Sequence, residues 1–388
     1  METLISLPLS LGRERSLHIV QKQKSSGLFS TLQSFTSGFR SGSLHIQQVP
    51  AGAPAVLDVC ADQQYSHQVT NEITDKRQSI VIHTASAEPV QIYLRWPKDA
   101  GLERLQVATA DYHIKSDIEM PSIPGSVTHL SPADVDFVPA RELFLASNSG
   151  GITGLFPSHD VLDVVTSSGS ASLTLLPLFD KPSHESKVGI KSNSGTLSIN
   201  GKLDAATSRV HFPSRDSTVS IITSSGSIRA VLGLTKSTSI KSNSGSQHLT
   251  ALLSDHSHDR RSDFATASNS GTQNISVVAA AQQDRTESSA GEKTDETGFV
   301  CKHKSNSGSV RIAYPDEWEG TVEAHSNSGS MSITGEGVET DKAHHRVTGV
   351  KGTPEHHTDV GTSSGSISVK FGDGSSSDTQ QTISGKMQ

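Results

Sequence analysis

The chain has 388 residues and a formal net charge of -7, and only 33% of its residues are apolar and 4% aromatic. That apolar share is below the usual value for a globular domain, which argues against a thick core along the whole length. The negative charge argues against nucleic acid and anionic membranes as partners, because both select basic surfaces. No stretch approaches the roughly 20 apolar residues of a transmembrane helix.

The first 54 residues are predicted to form an N-terminal tail with edge strands at 16–20 and 43–47. Residues 4–11 are apolar, but they are preceded by Glu2 and followed at once by Arg13, Glu14 and Arg15. A secretory signal has the opposite order, with basic residues first and a longer apolar region after them. This N-terminus therefore favours a cytoplasmic location.

Residues 55–140 are predicted to hold degenerate β repeats followed by a proline-rich link. Strand-like runs occur at 55–59, 79–83, 90–96 and 105–109, each rich in Val, Ile, Leu or Tyr. The chain has two cysteines, Cys60 in this region and Cys301 far downstream. Two cysteines exclude a disulfide framework or a cysteine-rich zinc module, but they do not decide whether a single bridge forms.

A repeat array is predicted over residues 141–370, where Ser-Asn-Ser-Gly or Ser-Ser-Gly recurs nine times between short apolar runs. The intervals between the motifs range from 19 to 37 residues. The glycines are Gly150, Gly169, Gly195, Gly226, Gly245, Gly271, Gly308, Gly329 and Gly365. Such recurrence is typical of arrays in which each unit packs only against its neighbours.

The runs around each motif alternate apolar and polar residues with a period of two, which predicts strands rather than helices. A tight corner between strands places one residue at positive φ, where glycine avoids the roughly 1–2 kcal/mol that a Cβ costs. If the corners stack, their Asn and Ser side chains can form hydrogen-bonded ladders. The prediction is an all-β protein, a β-solenoid of short parallel strands with Ser-Asn-Ser-Gly or Ser-Ser-Gly corners.

The longer intervals predict polar insertion loops at about 254–263, 280–298 and 335–358, because these stretches lack apolar alternation. Residues 371–388 are predicted to be a disordered tail.

The chain resembles the putative-adhesin family, a domain of unknown function found in bacterial and fungal proteins and expected to form a β-helix-like solenoid. The resemblance covers roughly residues 55–370 and depends on "YLRWPKDAGLERLQVATADYHI", "LFPSHDVLDVVTSSGSASLTL" and the "SNSG" corners. The copy around Asp111 and Tyr112 lacks the glycine, which leaves the register of the N-terminal repeats open. The resemblance implies an adhesion role without naming a binding residue.

No metal site, cofactor site or catalytic residue is predicted. Calcium-binding β-rolls place Asp at their corners, whereas these corners carry Asn or Ser. The histidine pairs fall in the predicted loops, which lack the fixed geometry of a metal site. The pairs are His256 with His258, His344 with His345, and His356 with His357.

A carbohydrate-active enzyme on a β-helix scaffold is the alternative function. Such enzymes group carboxylates on one face of neighbouring coils. The candidate strand carboxylates here are Asp58, Asp163 and Asp359, and Trp318 in an acidic bend is a candidate sugar-stacking platform. The repeated serines are interpreted as structural, because no Gly-x-Ser-x-Gly elbow is present.

The favoured function is therefore non-enzymatic. The sequence predicts an adhesin-like binding or scaffolding protein that presents an extended solenoid surface to a protein or glycan partner.

Overall fold

In the computed structural model the described part of the chain is all-β. The described residues are 2–10, 14–23, 42–61, 68–84, 90–98, 100–118, 140–177, 185–201, 216–234, 236–253, 261–279, 298–353 and 355–372. Within these ranges no helix occurs, and so none is long and apolar enough to cross a membrane. The chain divides into two units, unit 1 (Met1–Ser198) and unit 2 (Ile199–Gln388).

Unit 1 is built from strands of two sheets, sheet A and sheet B. Its strands in sheet A are β1 (Glu2–Pro8), β3 (Ser43–Val49), β4 (Val56–Ala61), β7 (Gln91–Pro97), β9 (His113–Ser116), β11 (Ile152–Ser158) and β13 (Ala171–Pro177). A further strand of sheet A, β15 (Leu197–Gly201), contains residues of both units. Its strands in sheet B are β2 (Ser16–Gln23), β5 (Gln68–Ile73), β6 (Arg77–Thr84), β8 (Leu102–Thr109), β10 (Ala140–Ser147), β12 (Val161–Thr166) and β14 (Ser186–Ser192).

Unit 2 is also built from strands of two sheets. Its further strands in sheet A are β17 (Ile228–Leu234), β19 (Gln247–Leu253), β21 (Gln273–Ala279), β23 (Val310–Tyr314), β25 (Met331–Thr334) and β29 (Ile367–Phe371). Its strands in sheet B are β16 (Ser217–Thr223), β18 (Ser237–Ser242), β20 (Arg261–Ser268), β22 (Gly298–Ser305), β24 (Gly320–Ser326), β26 (Val338–Ala343), β27 (Arg346–Lys351) and β28 (His356–Thr362).

Each coil of the solenoid contributes one strand to sheet B and the next to sheet A. From β10 onward a Ser-Gly corner lies between the two strands of each coil. Equivalent strands of adjacent coils pair in parallel and in register, as Ile221 of β16 pairs with Ile240 of β18. Alternate side chains of these parallel strands are buried, and they place β-branched and leucine residues in a thin core. The predicted all-β solenoid of short parallel strands is confirmed.

The coils at one end of each unit do not stack in sequence order. In unit 1 the coil β2–β3 lies between the coils β6–β7 and β8–β9, so these early strands are interior to their sheets. In unit 2 the coil β28–β29 lies between β22–β23 and β24–β25, although β24–β25 precedes it in the chain. Antiparallel strands extend the sheets beyond the displaced coils: β1 and β4, β5, and the pair β26 and β27.

Residues 335–358 were expected to form a loop, and this expectation is wrong. β26 and β27 form an antiparallel hairpin in which β27 also pairs with β24. β26 is almost entirely exposed, so its sequence shows no apolar alternation. The predicted insertions at 254–263 and 280–298 lie largely outside the described residues, except that β20 begins at Arg261 and β22 at Gly298. Residues 373–388 of the predicted tail also lie outside them.

The corner glycines are required for a different reason from the predicted positive φ. None of the nine lies in the left-handed region. A Cβ on Gly245 would instead lie 1.8 Å from the carbonyl oxygen of Gly226, and one on Gly195 would lie 1.9 Å from that of Gly169. Backbone of one corner therefore packs directly on backbone of the next, and only glycine permits that approach.

At seven of the corners the first hydroxyl closes the turn. Ser242 Oγ accepts the Gly245 amide at 2.9 Å, and equivalent bonds occur at Gly195, Gly226, Gly271, Gly308, Gly329 and Gly365. One bond of the predicted ladder joins two neighbouring corners, from Asn306 Nδ2 to Asn269 Oδ1 at 3.1 Å. The corner at residues 109–112, which lacks a glycine, stacks beneath Gly150, whose Cβ position is 2.1 Å from Tyr112 O.

Candidate functional site

A polar cluster on the outer face of sheet A in unit 1 is the candidate site. We define the outer-face cluster as Ser43, His45, Tyr93, Lys115 and Asp117. Side chains on β3 alternate, so Ser43 and His45 face outward while Leu44 and Ile46 are buried. β7 and β9 pair with β3 on either side and bring Tyr93 and Lys115 into register with His45.

Hydrogen bonds join three members of the cluster in a line. Ser43 Oγ lies 2.8 Å from His45 Nε2, and His45 Nδ1 lies 2.7 Å from Asp117 Oδ2. Because an ionised carboxylate only accepts hydrogen bonds, Nδ1 carries a proton, and in the neutral imidazole Nε2 then accepts the Ser43 hydroxyl. The strand geometry thus fixes the orientation of His45 and the tautomer of its neutral form.

Asp117 is held in its ionised form. Burial opposes ionisation, but hydrogen bonds from His45, Gln47 and Lys115 outweigh it and lower the pKa of Asp117. Gln47 Nε2 donates to Asp117 Oδ2 at 3.1 Å, and Lys115 Nζ lies 3.1 Å from Oδ1. Three donors therefore hold the carboxylate in position.

The cluster continues across the sheet through Tyr93. The Tyr93 ring stacks on the His45 imidazole, with centroids 5.0 Å apart and planes inclined by 28°. Beyond Tyr93, the Asp58 carboxylate accepts the Ser6 hydroxyl at 2.6 Å and pairs with Arg95 Nη1 at 3.1 Å. The face thus presents fixed charges and an aromatic ring over neighbouring strands.

The carboxylates predicted for an enzyme are not brought together. Asp58 lies on sheet A and is 4% exposed, whereas Asp163 lies on β12 of sheet B. Asp359 of β28 is in register with Glu323 of β24, but Glu323 is paired with Arg346 at 2.8 Å. A glycosidase needs one carboxyl group with a raised pKa. The shift of Asp117 is in the opposite direction.

Trp318 is not a sugar-stacking platform, because it is only 3% exposed. Its ring packs against Tyr314 at 4.6 Å and Phe371 at 5.2 Å between centroids. The acidic residues beside it make structural contacts: Asp316 binds Lys351 Nζ at 2.6 Å, and Glu319 accepts the Thr353 hydroxyl at 2.6 Å. The bend therefore anchors β23, β27 and β29 rather than forming a ligand site.

Replacing Trp318 with Phe tests this packing role. We expect the change to lower the free energy of unfolding by about 1–2 kcal/mol, because the smaller ring leaves part of the aromatic pocket unfilled. Urea unfolding followed by circular dichroism measures it. Val350→Ala on the exposed face of β27 is the control and should change stability by less than about 0.5 kcal/mol. Equal stability of Trp318→Phe and wild type would contradict the packing role.

The histidine pairs have separate environments. His344 and His345 occupy the exposed turn between β26 and β27, and His356 packs against Trp318 while His357 is exposed. His256 and His258 lie outside the described residues. No group of three or more His, Cys, Asp or Glu suited to a metal occurs in the part of the chain described by the structure. Cys60 and Cys301 are both buried free thiols.

The sequence reasoning missed Ser43, His45 and Asp117. The one local signal of this site was the spacing of Ser43 and His45 in a predicted strand. Side chains two residues apart in a strand lie on the same face of the sheet. Asp117 is 72 residues from His45 and follows a degenerate coil, so its approach depends on the coil order.

Comparison with known proteins identifies the family. No curated protein matches the chain. A solved structure described as "a putative cell adhesion protein" from Clostridium sporogenes is 8% identical and aligns over 95% of this chain and 98% of its own, with a TM-score of 0.17. The Toastrack DUF4097 family, a domain of unknown function, matches residues 44–370. With that match over most of its length, this β-solenoid chain belongs to the Toastrack DUF4097 family.

Proposed function

We propose that the protein is an adhesin-like binding protein that recognises a protein or glycan partner through the outer face of sheet A in unit 1. The observation that carries this proposal is the outer-face cluster together with Asp58 and Arg95. Hydrogen bonds and ion pairs hold these side chains in place before any ligand arrives, which lowers the entropic cost of binding. Tyr and Arg are also the residue types that dominate binding energy at interfaces.

The solenoid supports this role physically. Corner backbones packed on one another and in-register ladders keep the strands fixed, so the side chains on the face keep their spacing. Two of the described strand carboxylates form ion pairs rather than a catalytic pair, Asp58 with Arg95 and Glu323 with Arg346. Recognition by a preformed surface needs no such pair.

A binding screen with matched aromatic variants tests the proposal. The whole chain is screened on a glycan array and on a panel of purified surface and matrix proteins, and each saturable ligand is measured by biolayer interferometry. Tyr93→Ala should weaken binding at least about tenfold, since a central interface Tyr contributes more than about 1.4 kcal/mol.

Phe144→Ala is the control for that variant. Phe144 lies on sheet B of the same unit, where the Arg104 guanidinium stacks over its ring at 4.7 Å. This change should leave binding intact. No saturable ligand, or one weakened by Phe144→Ala and not by Tyr93→Ala, would rule out the proposed surface.

A further inference from the structure

The line of hydrogen bonds from Ser43 to Asp117 has the connectivity of a Ser-His-Asp nucleophile. In that arrangement a neutral imidazole accepts the serine hydroxyl at Nε2, while its Nδ1 proton is held by a carboxylate. The contacts of the His45 ring with Ser43 and Asp117, at 2.8 and 2.7 Å, match this arrangement when the imidazole is neutral. Such groups are recognised by geometry rather than by position in a motif, so the absence of a nucleophile elbow does not remove the chemistry.

We propose that Ser43 is an activated nucleophile that attacks ester carbonyls, with His45 as its general base and Asp117 as the residue that positions His45. In the first step a bond forms between Ser43 Oγ and the carbonyl carbon, and the hydroxyl proton moves to His45 Nε2. The alcohol then leaves as its bond to the carbonyl carbon breaks, and it takes the proton from Nε2. Water attacks the acyl-serine by the same route, so one ester and one water give one acid and one alcohol.

The surroundings of Ser43 set the rate and the substrate class. The Ser43 amide donates to Val90 O at 3.0 Å, and the His113 amide donates to Gly42 O at 3.1 Å, so these two amides are engaged in the sheet. Neither is free to stabilise an oxyanion, and loss of one such donor costs about 10²–10³ in rate. The side chains of His45 and Asp117 are 15% and 23% exposed on an open sheet face. The site therefore fits small activated esters and slow turnover, and acylation is the step to observe.

Covalent labelling of the whole chain tests the proposal. The protein is incubated with a fluorophosphonate probe or with p-nitrophenyl acetate, and the modified residue is located by peptide mass mapping. Ser43 should be modified first, at least about 100-fold faster than Ser6, the gain that general-base assistance supplies. Ser6 is an internal control on the same face, because its hydroxyl bonds a carboxylate, Asp58 Oδ1, in place of an imidazole.

Variants of Ser43, His45 and Asp117 separate the roles of nucleophile, general base and positioning residue. Ser43→Ala should abolish the modification, and His45→Ala should slow it by about 100-fold. Asp117→Asn should slow it by at least about tenfold, whereas Asp117→Glu, which keeps the carboxylate, should recover part of the rate. Thermal unfolding monitored by circular dichroism confirms that each variant is folded.

Three results would each overturn the proposal. They are Ser43 unmodified in the wild-type chain, Ser6 modified as fast as Ser43, and an unchanged rate in folded His45→Ala. The comparison of Ser43 with Ser6 within one molecule remains decisive even if a variant does not fold.

Discussion

Gly245→Ala is expected to lower the free energy of unfolding by more than about 3 kcal/mol, the upper range for overpacking a closed site. The new Cβ would lie 1.8 Å from Gly226 O and 2.4 Å from the Gly226 carbonyl carbon. Both neighbours are backbone atoms held in the ladders on either side of the corner, so neither can rotate away as a side chain would. Relief requires separating two coils, which breaks hydrogen bonds in both sheets.

Gly361→Ala in the same unit is the matched control. A Cβ there meets no atom within 4 Å, and its φ is not in the left-handed region. Removing the extra backbone freedom of glycine from the unfolded state should leave stability unchanged or raise it by up to about 1 kcal/mol. Urea unfolding of both variants measures the difference, and equal losses would show that the stacked corners do not limit stability.

The stability of unit 2 should fall by about 5 kcal/mol as the pH drops from 6.5 to 3, through a single buried histidine. Burial lowers the pKa of His303 from 6.5 to about 3. The Thr266 hydroxyl donates to Gln273 Oε1 at 2.6 Å, so it accepts from His303 Nδ1 at 2.9 Å. His303 Nε2 then remains unprotonated, and no described residue offers it a hydrogen-bond partner.

The direction of this pH effect follows from the protonation of His303 in the folded and the unfolded chain. Below pH 6.5 the unfolded chain takes up a proton on this histidine, whereas the folded chain does not until about pH 3. Protonation therefore favours unfolding between those values, with a slope near 1.4 kcal/mol per pH unit. The full stabilisation is present above pH 6.5.

Urea unfolding at pH 7.5, 5.5 and 4 measures the slope. His303→Phe removes the titrating group. The slope of the unfolding free energy against pH should then fall by the equivalent of about one proton, while other ionisable groups still contribute to it. His248→Gln is the control, because His248 is exposed on the outer face of β19. A profile that His303→Phe does not change would contradict this assignment.

Much of the fold could be predicted because its determinants are local. Each corner has its own Ser-Gly signal, and strands on both sides alternate with a period of two. These patterns locate the coils and place them in a parallel array. The reason predicted for the corner glycines, a positive φ, was wrong. Positive φ and close backbone approach both exclude a Cβ, and a sequence does not distinguish the two.

The displaced coils could not be predicted, since β28–β29 and β24–β25 carry the same corner motif and either could pack against β22–β23. Only pairing partners far along the chain decide between them. The hairpin β26–β27 was missed because an exposed antiparallel strand has no buried face to create alternation. Trp318 was placed at the surface because its neighbours in sequence are acidic, whereas its neighbours in space are Tyr314 and Phe371.

The candidate site depended on the same non-local information. Ser43 and His45 lie in a predicted strand, so their common face could be inferred. Asp117 reaches them because β9 pairs with β3, a neighbour that sequence order alone would not have given. The predicted strand carboxylate Asp58 proved to be the partner of Arg95 on this face.

The late position of β28–β29 in the chain has a consequence for biosynthesis. Residues 320–334 leave the ribosome before residues 356–371, yet they pair with those later residues rather than with β22 and β23. Until the later segment is made, β24–β25 lacks its native partners, and β22 and β23 lack the strands that cover their edges in the folded chain. Truncation before residue 356 would therefore leave two coils without their native neighbours, so β28–β29 completes this end of the array only after residues 356–371 have been made.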